Sequence, residues 1–280
     1  MKNRSVLSSP RFLELKKKKR QTFVKKIFFL FFLFVLILVG LSFLAKWQKL
    51  NINNIQISGN KVVETKMIEK IVQEKISGNY FYFFPKTNFI FYPKKEIVDE
   101  LTTKFKRIKN ISISISNLKT LDISLIERTA LYTYCGLAPA ELDDKNQKCY
   151  FMDDSGYIFD EAPYFSGEVY LKFYGKTGAY FFEPNFSKLI SLKETLEKIN
   201  VKPATFYIEN TGDIKVFLSS TTTELGPEII FKANADFNQI VENLQSVLTT
   251  EPLQTEFKTK YSSLLFIDLR FGNKVYYKFK

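Results

Sequence analysis

The stretch IFFLFFLFVLILVGLSFLA, Ile27–Ala45, runs nineteen residues without a charge. As a helix rising 1.5 Å per residue it is about 28 Å long, the thickness of one bilayer hydrocarbon core. Residues 1–26 before it carry ten Lys or Arg against one acid, Glu14. Lys46, Trp47 and Lys49 follow it, an aromatic and cationic girdle of the kind found at a membrane–water boundary. The positive-inside rule then keeps the basic tail in the cytoplasm and sends everything after Lys46 outside. A cleaved signal peptide is the rival reading. The tail is long for a signal's basic region, and Phe43 would stand three residues before a cut after Ala45, where a small residue is needed.

The formal charge of +12 invites a nucleic-acid partner. Its distribution argues against one, because beyond the tail 31 basic residues face 28 acidic ones, a net of +3. At 280 residues, 45% of them hydrophobic, the chain has room for about two domains with real cores.

Histidine is absent, which excludes Ser-His-Asp, Cys-His and HExxH chemistry outright. Nothing matches a phosphate loop or a dinucleotide fingerprint; GPEIIFKAN (Gly226–Asn234) has one glycine and no Lys-Ser/Thr pair. The pairs Asp143/Asp144 and Asp153/Asp154 are adjacent in turn-like sequence, whereas a glycosidase needs carboxyls opposed across a cleft. Ser187-Lys188 opens a helix, where serine is a routine cap. No catalytic residue, cofactor or metal is expected. Cys135 and Cys149 are the only cysteines, too few for a zinc site without histidine. On the outer side of a membrane an oxidising compartment permits them to pair; in a reducing host they stay free thiols.

After a linker at 46–53, residues 54–128 form one unit. IQISGN is an alternating strand ending in a turn, and Ile68, Ile71, Val72 and Ile76 recur at helical spacing before Gly78. Tyr80–Tyr92 is an aromatic connector without an assigned structure. Pro93 opens a second helix with an Ile97, Val98, Leu101, Phe105 stripe. Strands alternating at Ile111/Ile113/Ile115 and Leu121/Ile123/Leu125 close the unit, giving a β-α-α-β-β order whose helices cover one face of the sheet. Residues 129–280 are strand-rich: CYFMDDSGYIF is a hairpin turning at Asp153–Gly156, and Val169–Tyr174, Ala204–Asn210 and Ile214–Ser219 are strands. Two helices interrupt them, with faces Leu189/Leu192/Leu196/Ile199 and Phe237/Ile240/Leu244/Leu248. The fold class is α+β with an antiparallel sheet.

The β-α-α-β-β order directly outside one membrane anchor resembles a POTRA domain. ISGN after the anchor, LDISLIERTA (Leu121–Ala130), FMDDSGYIFDEAP (Phe151–Pro163) and the terminal FIDLRFGNKVYY together resemble the FtsQ/DivIB family of bacterial cell-division proteins. The connector Tyr80–Tyr92 and the Cys135–Cys149 insertion depart from the family pattern. The resemblance implies a non-catalytic divisome scaffold, a single-pass protein of the cell membrane gathered at the septum. It further implies that the C-terminal β-region docks small bitopic partners of the FtsB/DivIC and FtsL type, and beyond them the septal peptidoglycan synthase complex. The matching positions are Asp268, Leu269, Arg270 and Phe271, then Val275 and Tyr276. It also implies that Glu127 and Arg128 fix the junction between the two domains; the plain alternative is solvated charges at a sheet exit. Two other classes remain as alternatives: a POTRA-bearing secretion or assembly factor of the envelope, and a membrane-anchored wall hydrolase.

The ending LLFIDLRFGNKVYYKFK reads as a closing hairpin. A three-residue loop Gly272-Asn273-Lys274 sets Phe271 against Val275, Leu269 against Tyr277 and Ile267 against Phe279, with Asp268 facing Lys278. A bulged last strand is the other arrangement. In one reading Arg270 and Lys278 merely blunt an exposed edge. In the other a partner adds as a strand and Arg270 binds its carboxylate.

Overall fold

The computed structural model describes residues 10–139, 147–220 and 225–280. The pair Asp143/Asp144 lies outside the described residues. The protein is mixed α+β, with one long apolar helix at the N-terminus and several sheets. Two compact units follow each other, Met1–Glu127 and Arg128–Lys280.

In the first unit, α1 (Pro10–Ala45) is a single 36-residue helix running from the basic tail through the whole apolar run. Its segment Glu14–Ala45 is long and apolar enough to cross a membrane, and from Glu14 onward only Ser42 and Ala45 are buried by protein. Its last turn is tied down. Ser42 Oγ donates to the Phe83 carbonyl, and the amides of Asn51 and Asn88 both donate to the Ala45 carbonyl. The two bonds to the Ala45 carbonyl satisfy a group that a helix end otherwise leaves without a partner. The segment expected as a linker is therefore folded: Ile52 is core, and its N–H donates to the Thr87 carbonyl.

β1 (Asn54–Ser58) leads to α2 (Thr65–Ile76), whose Ile68, Ile71, Val72 and Ile76 are all buried. Gly78 follows the Ser77 cap at φ +83, the left-handed turn by which helices commonly end. The aromatic connector contains a small hairpin, β2 (Asn79–Tyr80) and β3 (Phe84–Pro85). α3 (Lys94–Lys104) buries Ile97 and Leu101; Pro93 is its cap and not its first helical residue, one position earlier than expected. β4 (Ile108–Ser116) and β5 (Thr120–Glu127) complete a three-stranded sheet ordered β1-β5-β4, with β1 parallel to β5. Leu121, Ile123 and Leu125 of β5 turn into the core shared with both helices. Gly59 is required where β1 leaves the sheet: at φ +85 a Cβ there would meet the Leu125 carbonyl oxygen at 2.0 Å.

Among the described residues the second unit holds nine strands: β6 (Tyr132–Tyr134), β7 (Cys149–Met152), β8 (Ile158–Ala162), β9 (Leu171–Gly175), β10 (Pro203–Ile208), β11 (Asp213–Leu218), β12 (Glu228–Lys232), β13 (Leu264–Phe271) and β14 (Lys274–Phe279). They form one sheet in the order β14-β13-β12-β11-β10-β9-β6-β7-β8. The sheet is mixed, which corrects the antiparallel expectation. β9 runs parallel to β10 and β12 parallel to β13, because each pair is joined through helix: α4 (Phe186–Lys198) in the first, α5 (Phe237–Leu248) and α6 (Leu253–Thr259) in the second. A helical crossover returns the chain to the same end of the sheet, so the strands it links run alike. β6 and β9 are also parallel, with the β7–β8 hairpin between them in sequence.

Leu189, Leu192 and Leu196 of α4 join Ile240 and Leu244 of α5 on a core that includes Phe173, Phe181, Phe206 and Phe231. Ser187 falls inside the first turn of α4; its cap position is Asn185. Asp236 caps α5, its carboxylate accepting from the Asn238 N–H. Cys135 and Cys149, at the facing ends of β6 and β7, are disulfide-bonded.

Candidate functional site

β14 is the last strand of the nine-stranded sheet, and β13 is its only strand neighbour among the described residues. Its exposure alternates strictly. Lys274, Tyr276 and Lys278 are exposed, while Val275, Tyr277 and Phe279 pack on the core. One side of its backbone is therefore open for another strand.

The hairpin register differs from the expected one. Gly272 and Asn273 alone form the loop, and Phe271 pairs with Lys274. Gly272 takes φ +65, as the first central residue of a type II′ turn must. A two-residue loop without correction would set Ile267 against Lys278 and bury the wrong face. A bulge between Asp268 and Phe271 absorbs one residue, so that Asp268 opposes Tyr276 and Ile267 opposes Tyr277. Val216, Ile229, Ile267 and Tyr277 then form a core row across β11–β14, and Lys215, Ile230, Asp268 and Tyr276 form the adjoining row on the opposite face. The alternation returns in register because the bulge supplies the missing half-period.

The bulge also redirects the charges. Asp268 does not face Lys278; it is 5% exposed and holds Arg270, whose Nε and Nη2 both donate to it. Arg270 Nη1 donates to Asp213 Oδ2 on β11 at 2.7 Å. Burial alone would raise the Asp268 carboxyl, but the bonds from Arg270 outweigh it and hold the group below the usual carboxylate range. Asp268 first, then Asp213, holds the guanidinium firmly protonated. The arginine is thus a clamp across three strands, already committed to two carboxylates of its own chain. Asp268 and Leu269 are buried, and Val275 is half-buried against the core. Phe271 and Tyr276 are 55% and 51% exposed, in edge-to-face contact at 5.2 Å. The Asn243 amide donates to the Gly272 carbonyl and ties the turn to α5. Of the six residues singled out from sequence, then, Phe271 and Tyr276 offer apolar surface beside a free edge, and Asp268 and Arg270 hold that edge in shape.

Glu127 and Arg128 each make contacts within their own unit. The Glu127 carboxylate accepts from the N–H groups of Lys61, Val62 and Val63. Burial pushes its pKa up, and those three bonds more than reverse this. Arg128 pairs with Asp153, 1% exposed, and stacks on Tyr157 at 3.8 Å. Asp153 also accepts from the Ser155 hydroxyl and from the N–H groups of Ser155 and Tyr157, so it organises its turn. The Asp213 partner of Arg270 carried no local signal, since it lies 57 residues away.

A scan against models of known protein families finds no match to this sequence, and a search of curated proteins finds none.

Proposed function

We propose that this protein is a membrane-held, non-catalytic scaffold of the FtsQ/DivIB kind, which recruits bitopic division partners of the FtsB/DivIC and FtsL type by adding a strand to β14. The observation that carries this reading is the free edge of β14, flanked by the exposed rings of Phe271 and Tyr276. An incoming strand would gain main-chain hydrogen bonds along that edge and apolar contact on the two rings. The first unit supports it as well, since β1-α2-α3-β4-β5, with the small β2–β3 hairpin inserted, follows the β-α-α-β-β order that the resemblance to a POTRA domain implies. A helix fit to span the membrane would confine the chain to the plane of its partners and raise their effective concentration.

Arg270 contributes by shaping the edge and not by reading a partner carboxylate, since two carboxylates of its own chain already occupy it. The test is a fluorescent fusion followed in dividing cells during depletion of the protein. A midcell band and filaments without septa are expected. Uniform envelope signal with loss of surface proteins would replace this reading with an assembly factor.

A further inference from the structure

The aromatic connector, set apart in the sequence and unused by the docking edge, begins with a hairpin that runs against its own backbone. Phe81 and Tyr82 occupy the two central turn positions with φ +47 and +64. The Phe83 N–H closes the turn on the Tyr80 carbonyl at 3.0 Å. That combination is a type I′ turn, which Asn-Gly fills with little strain and a Phe-Tyr pair does not. The same two residues are 86% and 90% exposed, so no packing among the described residues accounts for them.

The hairpin's position supplies the missing solvent. The Phe83 carbonyl accepts from Ser42 Oγ, three residues before α1 ends at Ala45. Three residues are about 4.5 Å of helix rise, so the hairpin lies within one turn of the end of the apolar run. Around it stand further exposed apolar groups, Phe43 at 76%, Ile90 at 66% and Trp47 at 57%. Cations are interleaved, with Lys86 over the Tyr80 ring and Lys49 near Trp47. Rings mixed with lysines at one end of a spanning helix is the composition of a headgroup boundary.

We propose that the Tyr80–Phe84 hairpin is a second membrane contact, its Phe81–Tyr82 tip seated in the lipid interface beside the C-terminal end of α1. The lipid takes up two rings that water would leave exposed, and this compensates the strained turn. With the helix end already hydrogen-bonded to Phe83, a second contact point stops the first unit from swivelling about the helix axis. The inference rests on α1 spanning the bilayer and is independent of any role in division.

The test uses the full chain in phosphatidylcholine vesicles, with Trp47→Phe removing the one natural tryptophan and Tyr82→Trp placing a probe at the tip. Lipid brominated near the top of its acyl chains should quench most of the emission, while aqueous iodide quenches little. Val62→Trp in the same background, beyond the far end of β1 from the membrane helix, should show the opposite pattern. Phe81→Trp repeats the measurement and guards against a disturbed turn. Tip probes quenched by iodide and untouched by bromine overturn the proposal, as does shielding from both, which would mean a protein neighbour. So does a chain that fails to float with the vesicles.

Discussion

Each unit ends an exposed aromatic hairpin in a tight turn, and the two turns are built in opposite ways. At β13–β14 a glycine takes the positive φ without strain, a bulge restores the register, and Arg270 clamps the strands through Asp268 and Asp213. At β2–β3 two aromatic residues take positive φ, the strands are two residues each, and the side chains at the tip are almost fully exposed. The first arrangement presents backbone from a rigid edge; the second presents rings from a strained tip. Apolar surface therefore serves a different end in each hairpin. Rigid backbone suits a strand-forming partner, and rings on a short loop suit a fluid surface with no register to match.

The edge hairpin depends most on its clamp. Arg270→Ala leaves the buried Asp268 carboxylate without its main partner and should destabilise the second unit by about 2 kcal/mol, discounted because the arginine is partly solvated. Pulse proteolysis of the full chain in detergent reads this, and an unchanged unfolding midpoint would show that the clamp is ornamental. Next in size, Phe271→Ala with Tyr276→Ala should weaken capture of an added strand about tenfold, about 1.4 kcal/mol, without shifting the unfolding midpoint. Equal capture by the double variant would confine recognition to backbone. Third, Phe81→Asn with Tyr82→Gly relieves the strained turn and should stabilise the β2–β3 hairpin locally by about 1 kcal/mol, seen as slower amide exchange there. A loss of protection would mean that the rings pack on the protein.

Acid separates the hairpins with the smallest effect at ordinary pH. The folded Asp268 pKa lies below its unfolded value, so the unfolded chain binds more protons in acid. Its contribution is complete above the unfolded pKa of about 3.9 and is lost as pH falls through the folded value. Amide protection at β13–β14 should therefore hold from neutrality to about pH 4 and fall below it. The β2–β3 turn, which has no carboxylate between Asn79 and Pro85, should show no such step.

Local periodicity carried much of this structure. The four isoleucine and valine positions of α2 and the leucines of α4 are where a 3.6-residue repeat puts them, and β5 buries every second residue. β12 escaped because EIIFK has no clean alternation, and β6 because three residues make no pattern. The aromatic hairpin escaped because its turn residues are the wrong types for its turn. At the edge, the candidate residues were legible as a group, but their division into exposed rings and buried clamp was not. A loop one residue shorter than expected and one inserted residue in β13 together moved Asp268 from Lys278 to Arg270, and register of that kind follows from the whole sheet.

The amino-acid order alone determined a chain with one span-length apolar helix, a basic N-terminal arm, helices and strands in a definite succession, and no histidine chemistry. These follow from hydrophobicity and from repeats of two or 3.6 residues, which neighbouring residues settle among themselves. Tertiary structure alone decided which strands run parallel, which edge is free, and that Arg270 belongs to Asp213. Those choices depend on groups dozens of residues apart competing for the same hydrogen bonds and the same core, and only the folded chain brings them together.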